Sequence, residues 1–74
     1  MSNSALIIRL RKQAVDKLRE STMLFEQASE VLAEGKPVEA KKLLDAARST
    51  RAGSAWLMRE ATRLEENSGP PKQT

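Results

Sequence analysis

The chain predicts an all-α fold, an antiparallel hairpin of two long helices, and three observations carry that reading. Small residues recur every seventh position in both halves, as Ala14, Ser21, Ala28 and Gly35, then as Ala40, Ala47, Ser54 and Ala61. Good helix formers run on either side of one interruption, Gly35-Lys36-Pro37. A cluster of breakers, Asn67-Ser68-Gly69-Pro70-Pro71, then ends the second run. Small side chains along one face let two helices approach closely, while bulkier residues a turn away interlock around the seam.

Taken in order, Ser2, Asn3 and Ser4 are N-cap candidates, and no Gly or Pro follows until after Glu34. That stretch makes roughly 30 residues of helix, about 45 Å. Gly35 suits the left-handed position after a helix, and Pro37 suits the first position of the next, where no backbone N–H is required. The second helix is expected from Pro37 to about Asn67, so residues 1–67 form one helical hairpin domain and 68–74 a disordered C-terminal tail. The alternative is a break at Gly53, with Ser54 capping a third helix and a three-helix bundle as the result. A continuous helix is favoured because the small-residue repeat stays in phase through Ser54 to Ala61, and a mid-helix glycine costs only about 1 kcal/mol against alanine. Folding at Lys36-Pro37 is expected to set Ala14 opposite Ala61, Ser21 opposite Ser54 and Ala28 opposite Ala47.

A chain of 74 residues is one domain. Its size is near that at which a single core supplies no more than about 3 to 5 kcal/mol. Without cysteine or histidine there is no disulfide framework and no thiolate or imidazole metal site, which leaves self-association as the remaining staple. The apolar run Ala5-Leu6-Ile7-Ile8 stops at Arg9, far short of a signal-peptide core or of the ~20 residues that span a bilayer, so a cytoplasmic location without membrane contact is expected. The net charge of +3 is distributed in blocks of alternating sign. The hairpin is expected to set Glu26, Glu30 and Glu34 beside Lys41, Lys42 and Arg48, and Glu65 and Glu66 beside Arg9 and Lys12, neutralising much of it.

General acid–base and nucleophilic catalysis mostly recruit His, Cys or Tyr, none of which occurs, so no enzyme activity and no cofactor or metal is expected. Glu26, Glu30 and Glu34 are spaced like a helical metal face, but acids without histidine more often form a solvated stripe. Trp56, the only tryptophan, is placed by helical phase away from the seam, with Arg59 and Arg63 on the same outer face. That arrangement suits an anchor for a protein partner; a break at Gly53 would instead turn Trp56 into the core. Leu6, Leu10, Leu24, Val31, Leu57 and Leu64 form a second apolar surface that a lone hairpin does not bury, and a second copy would cover it as an antiparallel four-helix bundle. The leading reading is a non-enzymatic interaction module, a small adaptor or regulatory subunit. The alternative is an RNA- or DNA-binding regulator using Arg9, Arg11, Lys12, Arg48 and Arg51.

The stretch Leu24 to Ala47 resembles a single tetratricopeptide-type helical hairpin, through Leu24, Ala28 and Val31 on the first helix, Gly35 at the turn, and Ala40, Leu44 and Ala47 on the second. It departs at Gln27, where that family usually has a large apolar residue, and at Ala52, where it usually has proline. The hairpins of microtubule-interacting-and-transport domains show similar spacing. The resemblance implies a groove that receives a helix or peptide.

Overall fold

The computed structural model describes residues 3–68. Asn3 occupies the N-cap, its carbonyl accepting the Ile7 N–H at 2.8 Å while its side chain makes no capping bond. From there α1 runs over Ser4–Ala33. Its end is closed by two reversed hydrogen bonds: the Gly35 N–H donates to the Leu32 carbonyl at 2.9 Å and the Lys36 N–H to the Val31 carbonyl at 3.2 Å. This 6→1 and 5→2 pair needs a left-handed residue after the helix, and Gly35 supplies it at φ +82°. Pro37 opens α2, Pro37–Ser68, and the Lys36 carbonyl takes the first bond from the Ala40 N–H at 3.0 Å. The candidate tail, 68–74, lies outside the described residues except for Ser68, the last residue of α2.

The second helix passes through Gly53 without interruption, so the hairpin has two helices and the three-helix alternative is not adopted. The missing side chain makes room there: a methyl group at Gly53 would sit 3.4 Å from Cδ of Lys17 on α1. The loss of about 1 kcal/mol in helix propensity is too small to break a helix held in phase along its length.

The repeat of small residues is the seam. Ala14, Ser21 and Ala28 of α1 and Ala40, Ala47, Ser54 and Ala61 of α2 are all buried; among the described residues only Ile7 and Leu57 join them as large buried side chains. Two serines cross the seam. The Ser21 hydroxyl donates to the Ala47 carbonyl at 3.1 Å, and the Ser54 hydroxyl to the Ala14 carbonyl at 2.7 Å. The two bonds are related by the pseudo-twofold axis of the hairpin, each serine reaching an alanine that lies seven residues before the other serine.

Those bonds correct the register. Ser21 is joined to Ala47 and not to Ser54, so each serine bonds one heptad away from the partner anticipated for it. The physical reason is that a buried hydroxyl must find an acceptor, and a helix carbonyl still has a free lone pair beside its own helical bond. Interleaving the small residues presents each serine with such a carbonyl.

The charges also pair differently. Among the described residues one ion pair crosses between the helices, Arg11 with Glu65, in place of Arg9 or Lys12. Lys41 turns to Asp45 within α2 at 3.3 Å, and Glu34 lies 3.7 Å from Lys36 across the turn, so the acids of α1 do not bond Lys42 or Arg48. The molecule is 14 Å in its thinnest dimension, a single layer of helix about 10–12 Å across, and each helix leaves most of its circumference uncovered.

Candidate interaction faces

A hairpin one layer thick has two long faces, and helical phase assigns every side chain flanking the seam to one of them. One, here the tryptophan face, carries Lys17 beside Gly53. The other, the arginine face, carries the Arg11–Glu65 pair.

On the tryptophan face, the space above Gly53 opens a cleft of about 540 Å³. Trp56 and Leu57 form its wall on α2, and Gln13, Asp16, Lys17 and Glu20 form the wall on α1. Trp56 is 53% exposed. Its neighbours across the seam are thus two carboxylates and an ammonium, whereas the arginines of α2 lie further along. Arg59 and Arg63 line a separate depression with Met58, Thr62 and Glu66. Arg63 donates to the Glu60 carboxylate, a bond that lowers the Glu60 pKa and raises that of Arg63. Arg63 is therefore already occupied, while Arg59 stays exposed.

The leucine surface predicted for dimerisation lies on the same face as Trp56. Leu57 is buried within the hairpin, Leu10, Leu24, Val31 and Leu64 are half-buried, and Leu6 is exposed. Trp56 meets Leu57 in the cleft. A partner anchored on Trp56 and a second copy covering the leucines would therefore contend for one surface, a point that the one-dimensional pattern does not show.

The arginine face also leaves large apolar side chains exposed. Val15, Leu18 and Leu32 of α1 and Met58 of α2 are 43%, 48%, 56% and 44% exposed, and Ile8 is exposed near the N-terminal end. Phe25 and Leu44 lie half-buried beside them. Leu18, Leu32 and Met58 flank the seam by helical phase, yet the narrow approach of the alanine seam leaves them too far out to be covered. The signal that finds this face is the step of three and four residues along α1 at Val15, Leu18, Thr22, Phe25, Ser29 and Leu32.

The five bases considered for nucleic acid are not brought together. Arg9 belongs by phase to the tryptophan face, Lys12 to the outer edge of α1, and Arg11 is held by Glu65; Arg48 and Arg51 stand on the arginine face near the middle of the hairpin. Among the described residues no three acids lie close enough to hold a metal ion, Glu26, Glu30 and Glu34 included. No described helix is long and apolar enough to cross a membrane. No family model, curated protein or solved structure matches the chain at a significant level.

Proposed function

We propose that this protein is a non-enzymatic interaction module, a small cytoplasmic adaptor or regulatory subunit that presents helix-docking faces. The observation that supports it is the division of apolar residues: apart from Ile7 and Leu57, the buried apolar side chains of the seam are alanine methyls, while many large ones, Trp56 among them, are exposed. A domain with a catalytic task gathers its reactive groups in a concavity, whereas here the polar groups are dispersed over two open faces. The resemblance of Leu24 to Ala47 to a tetratricopeptide-type hairpin supports the same reading.

The tryptophan face is read as the self-association surface. Leu6, Leu10, Leu24, Val31 and Leu64 would meet their counterparts in a four-helix bundle with Trp56 at the edge of the contact, while Leu57, buried within the hairpin, backs them from below, and the acids and bases of both signs on that face permit self-pairing. Each leucine contributes about 1.5 to 3 kcal/mol on going from full exposure to full burial, so the half-buried ones add a fraction of that and several must act together.

Affinity capture with the intact protein, with Trp56→Ala as the comparison, tests the reading. Protein partners retained by the natural chain, resistant to salt and lost with Trp56→Ala, are the expected result. Recovery of mainly nucleic acid, released by salt and indifferent to Trp56, would give the assignment to the alternative regulator using Arg9, Arg11, Lys12, Arg48 and Arg51.

A further inference from the structure

We propose that the arginine face docks an amphipathic helix of another protein whose apolar seam is flanked by acidic residues; this rests on the interaction-module reading and gives it a second docking face, separate from the one that carries Trp56. The α1 stripe from Val15 to Leu32 steps by threes and fours, is uncharged throughout, and spans about 25 Å at the helical rise. A strip one or two side chains wide at this spacing is the seam that a coiled-coil partner reads, not the broad apolar sector that lies on a lipid surface. Its most exposed members, Leu18 and Leu32, lie in line with the half-buried Phe25, and Met58 adds to the floor from α2.

Charge selects the occupant. Arg48 and Arg51 are exposed and, among the described residues, have no acidic partner, unlike Arg11 and Lys41. The Ser21–Ala47 hydrogen bond fixes their level: Arg48 follows Ala47 directly and Arg51 by about one turn, while Leu18, Thr22 and Phe25 lie within about a turn of Ser21. The two guanidiniums therefore stand beside the centre of the apolar stripe, with Arg19 on its other edge. A second copy laid antiparallel over this face would have its dyad near that centre and would crowd six arginines together, a repulsion that disfavours self-pairing. A helix with Glu or Asp at its flanking positions meets the same three arginines as complements.

Two synthetic helical peptides of about three heptads test this, identical in their Ile/Leu seam and differing only in having Glu or Lys at the flanks. Titrated into isotope-labelled protein at low ionic strength, the Glu peptide is expected to bind about tenfold more tightly than the Lys peptide. It should shift the signals of Leu18, Phe25, Arg48 and Arg51 and leave the Trp56 indole unmoved. Arg48→Glu with Arg51→Glu, both at exposed positions, should abolish the preference while the circular dichroism spectrum stays helical, and Arg51→Gln should reduce it in part. The proposal is overturned if both peptides bind equally, if the shifts centre on Trp56 and Leu10, if phosphatidylglycerol vesicles bind this face and the Glu peptide does not, or if Leu18→Glu dissolves a dimer of the chain. Those outcomes are independent of Trp56-dependent capture, so the failure of one reading is separable from the failure of the other.

Discussion

The seam and the outer faces are cut from the same two helices and follow opposite prescriptions. In the seam, Ala14, Ala28, Ala40, Ala47 and Ala61 are all at most 2% exposed, and the two polar members, Ser21 and Ser54, each find a carbonyl across the interface. On the faces, Trp56, Leu18, Leu32 and Met58 are 44–56% exposed. Hydrophobic stabilisation scales with apolar area, at about 25 cal/mol per Å², so an alanine seam contributes less per residue than a leucine seam. What it contributes instead is closeness and register. A hairpin closed this way holds its shape with modest stability and keeps its large apolar side chains outside, where a partner helix meets them.

That contrast is most sharply broken by overpacking the seam. Ala47→Leu places an isobutyl group where there is no free surface, and overpacking costs about 1–3 kcal/mol, a large share of what so small a domain has. Thermal unfolding followed by circular dichroism should show a collapse of the transition or its loss. Leu18→Gln, on the arginine face, should stay within about 0.5 kcal/mol in the same experiment. If the two variants are equally damaging, the seam and the faces are not energetically distinct.

The two glycines should respond with opposite signs. Gly35→Ala forces a side chain into a left-handed backbone at φ +82° and should destabilise by about 1 kcal/mol. Gly53→Ala gains up to about 1 kcal/mol of helix propensity, and its new methyl meets only the flexible end of Lys17, which swings aside. Urea midpoints of the two variants decide the matter, and a loss at Gly53 would mean that close approach there is worth more than propensity. Replacing Ser54 or Ser21 by Ala removes a hydrogen bond across the seam and should cost about 0.5–1.5 kcal/mol, the greater loss at Ser54 with its shorter bond; hydrogen exchange in the middle turns of both helices reads the change.

The smallest effect belongs to the surface of α2. Because Arg63 lowers the Glu60 pKa in the folded chain, the pair favours folding at pH values above the ordinary glutamate range, about 4.3. That contribution fades as the pH falls through the folded-state value, since the unfolded chain takes up its proton first. Glu60→Gln should remove this acid-side slope by lowering stability at neutral pH by that same small amount while leaving stability in acid unchanged, as pH-dependent thermal scans would show.

The elements were legible because their signals are local. Gly35 and Pro37 dictate the turn through backbone conformation alone, and the small residues mark the seam through their period of seven. The register was not legible, because Ser21 pairs with Ser54 or with Ala47 at equal cost in any count of small residues; only the need of a buried hydroxyl for a carbonyl separates them. Of the candidate site, the exposure of Trp56 follows from its helical phase, but its neighbours Asp16, Lys17 and Glu20 come from α1 and depend on that register. The exposure of Leu18 and Met58 follows from how narrowly two alanine-lined helices meet, a quantity set in three dimensions.

The central claim, a seam closed within one chain and faces left for others, is tested most directly by isotope-filtered nuclear Overhauser spectroscopy on a mixture of labelled and unlabelled protein. Ser21–Ala47 and Ser54–Ala14 contacts should appear only within a chain, and contacts of the Trp56 indole and Leu10 should appear between chains. Ser21–Ala47 contacts between chains would contradict the account, for they would mean that the alanine seam joins two molecules and that the hairpin is not the folded unit.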